Sequence, residues 1–190
     1  MPDAPQDIRY VAKNMRLDLR LIAEMIPHGA KLLDIGCGDG ALIEHLTREK
    51  QADARGIEID MAEVTKAVSA GLAVIHGDAD NDLAFYPDGG FDFVVLSRTL
   101  QTLHRPFEVL QEMIRIAPRI ILSMPNFGYW RNRVRLLSGH MPMSKDLPFN
   151  WYDTPNLHHA TLIDLEAFFT DLGFTIERRI SLDELGRPVR

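Results

Sequence analysis

The chain has 190 residues, of which 46% are hydrophobic and 25% are charged, and this size and mixture are those of one globular domain with a packed core. The composition excludes disordered, collagen-like and coiled-coil proteins. With 27 acidic and 21 basic residues, the net charge of −6 repels phosphate backbones, so we expect no nucleic-acid partner.

The N-terminal segment, residues 1–13, is polar, contains Pro2 and Pro5, and is predicted to be loose. It lacks the basic stretch followed by apolar residues that marks a secretory signal. No later run reaches the roughly 18 apolar residues that a membrane-spanning helix needs. The lone cysteine, Cys37, can form no disulfide within the chain. We therefore expect a cytoplasmic, soluble protein with no membrane partner.

Helical and strand-like patterns alternate along the next part of the chain. Apolar residues recur at helical spacing from Met15 to Ile26 and stop at Pro27, which predicts an amphipathic helix. Further periodic segments predict strands at 31–35, 55–59, 73–76, 91–96 and 119–124, and helices at 41–50, 61–70 and 106–116. Continuous apolar strands linked by helices indicate an α/β fold with a doubly wound, mostly parallel, Rossmann-like sheet covered on both faces.

The order breaks between residues 125 and 160, where prolines and both tryptophans cluster. A helix is predicted over 129–137, followed by an ordered but irregular excursion. The spacing then predicts a helix over 162–172, ended by Gly173, and a strand over 174–180. No repeat, low-complexity tract or linker marks a second domain, so residues 1–190 are predicted to form one domain.

The segment from Asp34 to Gly40 is the most informative part of the sequence. It lies where a predicted buried strand turns into a helix, and it contains Gly36, Gly38 and Gly40. Glycines let the backbone approach a ligand closely, and the start of a helix offers unpaired N–H groups. The alternative is that these glycines serve turn geometry alone.

Two acidic residues follow the next two predicted strands. Glu58 ends the second strand, 22 residues after Gly36, where it can accept hydrogen bonds from the hydroxyls of a ribose. Asp78 follows the third strand, where it can accept from an adenine amino group. The pattern therefore predicts a small-molecule nucleoside ligand. The alternative is that such acids only cap helices or solvate turns, and for Asp60 and Asp80 we prefer that interpretation.

The identity of the nucleoside is narrowed by Asp34. The spacing Gly36-x-Gly38-x-x-Ala41, with Glu58, also meets the dinucleotide fingerprint, so an NAD-dependent oxidoreductase is one alternative. However, Asp34 would repel a pyrophosphate, whereas it suits a cationic amino-acid or sulfonium end. The chain is also too short for a separate substrate domain. A sulfonium nucleoside is therefore favoured.

The motif Asp34-x-Gly36-x-Gly38-x-Gly40, with Glu58 and Asp78, resembles that of class I S-adenosylmethionine (SAM) dependent methyltransferases over residues 30–124. The resemblance implies SAM or S-adenosylhomocysteine as the cofactor. The residues it assigns to cofactor binding are Asp34, Gly36, Cys37, Gly38, Asp39 and Gly40 beside the methionine part, Glu58 at the ribose, Ile59, Asp78 and Ala79 around the adenine, and Ser97 beneath the cofactor.

Four longer strings, at 32–40, 97–106, 125–131 and 147–156, together resemble the MetW family of bacterial methionine biosynthesis proteins over nearly the whole chain. The resemblance implies a partner role, in which the protein associates with homoserine O-acyltransferase (MetX) and supports its activity in methionine synthesis. Class I methyltransferases normally end in a β-hairpin. Because no second apolar run follows 174–180, we expect the last strand of that hairpin to be missing.

The sequence identifies no catalytic residue and no metal site. Side chains that could hold a methyl acceptor form no diagnostic set; they are His104, Tyr129, Trp130, Tyr152, Asp153, His158 and His159. An active small-molecule methyltransferase is therefore the alternative to a SAM-binding partner protein. Three arginines beside Trp130, at positions 131, 133 and 135, form either a solvated helix face or a docking surface for an acidic partner.

Overall fold

The computed structural model describes residues 15–144, 147–183 and 187–189, so the loose segment predicted for residues 1–13 lies outside the described residues. The chain divides into two compact units, Met1–Ser123 and Met124–Arg190. The organisation of residues 1–190 as one domain stays a prediction.

The first unit is built on a parallel sheet of five strands in the order β3-β2-β1-β4-β5. The strands are Lys31–Ile35 (β1), Asp53–Glu58 (β2), Val74–His76 (β3), Phe93–Ser97 (β4) and Arg119–Ser123 (β5). All five residues of β4 are buried, and β1 is buried from its second residue onward. Strands buried on both faces explain the continuous apolar runs of the sequence, and the predicted doubly wound α/β fold is confirmed.

Helices cover this sheet. They are Leu17–Met25 (α1), Ala41–Lys50 (α2), Met61–Ser69 (α3), Ala79–Asp82 (α4) and Pro106–Ile116 (α5), with short 3₁₀ turns at Leu83–Phe85 and Leu100–Thr102. Helix α5 begins at Pro106, whose fixed φ suits the first helical position, and it buries Val109, Leu110, Met113 and Ile116. Among the described residues, no helix has the length and apolar character that crossing a bilayer requires.

The strand order reverses between β1 and β4, because β2 and β3 lie on one side of β1 and β4 and β5 lie on the other. A crevice opens at such a reversal, beyond the carboxyl ends of the strands, and open α/β sheets bind ligands there. The glycine loop leaves the end of β1, and Ser97 ends the neighbouring β4. The topology therefore brings these two segments to one crevice.

In the second unit the described residues form two helices, Trp130–Leu137 (α6) and Leu162–Asp171 (α7), and a two-stranded antiparallel ribbon of Ser181–Leu182 (β6) with Pro188–Val189 (β7). The prediction of a strand over 174–180 is wrong, because these residues are irregular and mostly exposed. A strand needs a partner edge as well as an apolar pattern, and in the described residues the pairing begins only at Ser181. Among the described residues β6 and β7 pair only with each other, so neither adds a strand to the five-stranded parallel sheet.

Candidate functional site

The loop between β1 and α2 requires glycine at its three glycine positions. Gly36, Gly38 and Gly40 have φ values of +69°, +57° and +80°, which lie in the left-handed region that glycine favours. A Cβ on Gly36 would collide with the Thr99 side chain, and a Cβ on Gly40 would lie 2.6 Å from Leu72 Cδ1. A Cβ on Gly38, by contrast, would meet nothing within 4 Å. The loop is thus closely packed at both ends and open in the middle.

The side chain of Glu58, at the end of β2, forms a hydrogen bond with the open middle part of the loop. Its Oε2 accepts a hydrogen bond of 2.8 Å from the backbone N–H of Gly38, and its Oε1 accepts one of 2.9 Å from that of Asp60. The side chain is buried, so both bonds form away from bulk water. Gly36 N–H also donates to the Ile57 carbonyl at 2.9 Å. Glu58 therefore sets the position of the glycine loop.

A cleft of about 290 Å³ lies beside this loop, near the lower end of the usual volume range of ligand sites. Its lining combines the start of α1 and the two residues before it, the end of β1 with the loop that follows, and the end of β4: Met15, Arg16, Leu19, Asp34, Gly36, Cys37, Gly38, Asp39, Ala41 and Ser97. Of the predicted site residues, the structure thus brings together Asp34, Gly36, Cys37, Gly38, Asp39 and Ser97. It does not include Gly40, Glu58, Ile59, Asp78 or Ala79 in that lining.

Asp34 is the chemically unusual group of the cleft. The residue is only 2% exposed, and its Oδ1 has no hydrogen-bond partner among the described residues. Burial raises the pKa of Asp34 from its ordinary value to about 7; the nearby Arg16 opposes this rise, and Glu58 adds to it. A buried carboxylate without partners is costly, and a cation or an N–H donor in the cleft would relieve that cost.

A cluster of charged side chains stands beside the cleft, and the sequence analysis missed it. The buried carboxylate of Asp18 accepts hydrogen bonds from Arg16 Nη2 at 3.1 Å and from Arg98 Nε at 3.0 Å. Arg16 Nη2 also donates to Ser97 Oγ at 2.8 Å. One signal was present in the sequence: Asp18 falls on the apolar face of its helix, between Met15 and Ile22, where an acid needs a buried partner.

The residues predicted around the adenine lie at the ends of β2 and β3. Asp78 caps α4, where its Oδ1 accepts from Asp80 N–H at 2.9 Å and its Oδ2 accepts from Asn81 Nδ2 at 2.5 Å. Ala79 is the first residue of that helix, and Ile59 follows β2 with 63% of its surface exposed. Their contacts with adenine stay predictions.

Asp60 and Asp80, for which a role in capping helices or solvating turns was preferred, both accept hydrogen bonds from backbone N–H groups, and Asp60 caps a helix. Asp60 Oδ1 accepts from Ala62 N–H at 2.8 Å at the start of α3. Asp80 accepts from the backbone N–H groups of His104 and Arg105 at 2.9 and 2.8 Å, immediately before α5 begins. Both carboxylates thus satisfy N–H groups that have no partner within a helix.

Within the loop, the side chains of Cys37 and Asp39 make contacts with the protein itself. A Cβ on Gly56 would lie 2.5 Å from Cys37 Sγ, so the thiol fills the space that this glycine leaves. Burial, followed by the charges of Asp34 and Glu58, raises the pKa of Cys37 well above its usual range and keeps the thiol neutral. Asp39 is exposed, and its Oδ1 accepts from Ala41 N–H at 3.2 Å at the start of α2.

The candidate acceptor-holding residues are divided between the two units. His104 lies in the first unit, and the other six lie in the second, Met124–Arg190. Within the second unit, the rings of Phe127 and His159 stack with their centres 4.6 Å apart. In the part of the chain that the structure describes, no group of three His, Cys, Asp or Glu side chains could hold a metal ion.

A comparison with models of known protein families matches this chain to a methionine biosynthesis family. The family model described as methionine biosynthesis protein MetW matches residues 16–190. A bifunctional methionine biosynthesis protein MetXA/MetW from Rhodopirellula baltica is 29% identical over 192 residues, which cover 96% of this chain and 30% of that protein. The chain therefore spans about a third of the length of this relative.

Solved structures of similar fold include SAM-dependent methyltransferases. A SAM-dependent methyltransferase from Archaeoglobus fulgidus has a TM-score of 0.65 and 22% identity, over 88% of this chain and 68% of that one. A second, from Aquifex aeolicus, has a TM-score of 0.60 and 18% identity, over 96% of this chain and 95% of that one. At these identities the likeness shows the fold alone, which is that of class I SAM methyltransferases.

Proposed function

Because this chain belongs to the MetW family of methionine biosynthesis proteins, we propose that it binds SAM or S-adenosylhomocysteine and supports a homoserine O-acyltransferase, MetX, in methionine biosynthesis. The observation that supports this ligand is that Oδ1 of the buried Asp34, in the wall of the cleft, has no hydrogen-bond partner within residues 15–144, 147–183 and 187–189. An orphaned acceptor of this kind fits a ligand that brings positive charge and N–H donors.

The methionine end of SAM matches the chemistry of the cleft. It carries an α-ammonium group and, in SAM, a sulfonium, and either charge would favour the ionised form of Asp34. Its carboxylate would meet the guanidinium of Arg16, about half of which is exposed to solvent beside the cleft. The bare backbone at Gly38 leaves room for a close approach. When bound, SAM would supply an activated methyl group.

The adenosine end of SAM suits the acidic residues at the end of β2 and after β3. A carboxylate can accept about four hydrogen bonds, and Glu58 uses one acceptor position on each oxygen for Gly38 and Asp60. It therefore keeps capacity for the two ribose hydroxyls. The exposed side chain of Ile59 offers an apolar surface for a base, and Asp78 with Ala79 begins the next loop.

The partner role is supported by the relative from Rhodopirellula baltica, which is bifunctional and named for both MetXA and MetW. Joining two proteins in one polypeptide raises the effective concentration of each near the other, which benefits proteins that work together.

Ligand binding is tested by calorimetric titration of the full chain with SAM, S-adenosylhomocysteine and NAD in parallel. The two adenosyl amino acids are expected to bind, and NAD is not, because Asp34 would lie close to its pyrophosphate. A well-folded chain that binds NAD, or none of the three compounds, would contradict the ligand assignment.

The partner role is tested by co-expression with the cognate homoserine O-acyltransferase. We expect the two proteins to co-purify and the rate of acyl transfer to be higher in the presence of this chain. An acyltransferase that neither associates with the chain nor changes its rate would exclude the partner role, whatever the ligand titration gives.

A further inference from the structure

Helix α6 presents an apolar stripe to solvent. Trp130, Val134 and Leu137 follow one another at i, i+4 and i+7, so they share one face of the helix, and they are 60%, 55% and 90% exposed. Asn132 is 3% exposed and is the buried residue of the helix. A surface helix normally buries its apolar face and exposes its amides, and α6 does the reverse.

Polar contacts hold the helix in this orientation. Asn132 Nδ2 donates to the carbonyl oxygens of Phe127 at 3.1 Å and Asn126 at 3.4 Å. Arg133 Nε donates to the Gly128 carbonyl at 2.7 Å. Asn132, on the face opposite the stripe, and Arg133, at the edge of the stripe, thus bind the loop before the helix, and these hydrogen bonds leave the stripe facing outward.

Arginines frame the stripe on both sides. At about 100° per residue, Arg133 flanks it on one side, and Arg131 and Arg135 flank it on the other. The Arg131 guanidinium lies 5.4 Å from the centre of the Trp130 ring, a cation–π distance. This helix contains no acid, although the chain as a whole carries a net charge of −6. Tryptophan and arginine are the residues most enriched at the energetic centres of protein interfaces.

We propose that the α6 stripe, Trp130, Val134 and Leu137, is the surface that docks the acyltransferase, through an apolar depression edged by Asp and Glu side chains. This inference rests on the proposed function. A second copy of the chain is a poor occupant, because stripe-to-stripe contact would bring the arginines of both copies together. A lipid surface is also disfavoured, since two helical turns span only about 12 Å and the acidic chain is repelled by anionic lipids.

The stripe is tested with the double variant Val134→Glu/Leu137→Glu of the full chain. Both side chains are more than half exposed, so the fold should persist, and unchanged affinity for S-adenosylhomocysteine is the check. Binding to the acyltransferase is expected to weaken by at least about tenfold. Ile163→Glu is the matched control, because Ile163 is 74% exposed on α7, outside the stripe, and its change should leave binding intact.

The arginine frame is tested with Arg135→Glu at several salt concentrations. Wild-type affinity for the acyltransferase should fall as salt rises, because salt screens the arginine–carboxylate attraction. The variant should bind about three- to tenfold more weakly at low salt and should show a flatter salt dependence. If the affinity of both proteins is independent of salt, the proposal that Asp and Glu side chains of the acyltransferase face these arginines is wrong.

The outcomes separate this inference from the function on which it rests. If the wild-type chain binds the acyltransferase and the double variant binds equally well, the stripe is excluded while the partner role stands. If the wild-type chain binds no acyltransferase, both are overturned. If the double variant binds the acyltransferase as well as the wild-type chain does but no longer self-associates, the stripe binds a second copy and the proposal is overturned. If the double variant instead loses only its binding to phosphatidylglycerol vesicles, the stripe binds a membrane and the proposal is likewise overturned.

Discussion

Asp34 makes the stability of the protein depend on pH. Its carboxyl group is buried, its Oδ1 has no hydrogen-bond partner in the part of the chain that the structure describes, and its pKa is raised to about 7, chiefly by burial. Between about pH 4 and pH 7 the folded protein therefore holds a proton that the unfolded chain has released. Protonated Asp34 stabilises the fold at low pH, and this contribution is lost as the pH rises through the folded-state pKa.

The first prediction concerns Asp34→Asn. In the absence of ligand, the free energy of unfolding of the wild-type chain should fall between pH 5 and pH 8, and the neutral amide should remove most of that fall, a difference on the order of a few kcal/mol. Urea unfolding at both pH values measures it. Asp88→Asn, at a carboxylate that is 82% exposed, is the control. The same pH slope in wild type and Asp34→Asn would contradict the prediction.

The second prediction concerns Glu58→Gln. A glutamine keeps one acceptor oxygen, so it cannot accept from both Gly38 and Asp60 and also serve ribose hydroxyls. We expect the affinity for S-adenosylhomocysteine, measured by calorimetry, to weaken by about 1–3 kcal/mol. Glu49→Gln, at an exposed position on α2, should change nothing. Equal affinities in all three proteins would show that the ribose assignment is wrong.

At the scale of elements, the Asp18 cluster ties α1 to the end of β4. Arg98, which bonds Asp18, has a φ of +59° although it is not a glycine, and its N–H donates to the Ser123 carbonyl at 2.8 Å. Such a backbone costs energy and persists only where its surroundings fix it. The ion pair with Asp18 and the bond to Ser123 are two of the contacts that do so.

The third prediction compares Asp18→Asn with Asp53→Asn. The first change leaves Arg16 and Arg98 around a buried amide and should lower the free energy of unfolding by about 1–3 kcal/mol, a range reduced because both guanidinium groups are partly exposed. The second removes the exposed Asp53–Arg55 pair and should have little effect. Urea unfolding at one pH compares them, and equal losses would contradict a special role for Asp18.

The sequence predicts local elements well and contacts between distant segments poorly. Pro106 and the helical periodicity after it predict α5 over 106–116, because both signals act within the helix itself. The Asp18 cluster joins residues 80 positions apart, and no local pattern encodes that approach. The strand predicted over 174–180 is wrong for the same reason, because an apolar pattern does not indicate whether the edge of a neighbouring strand is available for pairing.

At the scale of the whole molecule, the two units carry different proposed tasks. The cleft and its acids belong to Met1–Ser123, and the α6 stripe belongs to Met124–Arg190. The helix itself can be predicted from the sequence, but its orientation cannot, because it depends on the hydrogen bonds of Asn132 to the preceding loop.

The fourth prediction concerns hydrogen exchange of the full chain with and without S-adenosylhomocysteine. At about one hundred times its Kd, the ligand should stabilise the folded state by about 2.7 kcal/mol. Slower exchange should be clearest in the glycine loop, residues 36–40, and at the ends of β1, β2 and β4. Mass spectrometry of peptides measures it, with α7 as the internal comparison. Slowing confined to residues 124–183 would place the ligand in the other unit and contradict the site.

Cys37 has a consequence for how the protein tolerates oxidants. Thiolates, rather than thiols, react with peroxides and electrophiles, and this sulfur lies against Gly56 in a setting that disfavours its ionisation. The one sulfhydryl of the chain is therefore chemically quiet, even though it belongs to the loop around which the cleft is built. We therefore expect Cys37 to react more slowly with peroxides than an exposed cysteine does.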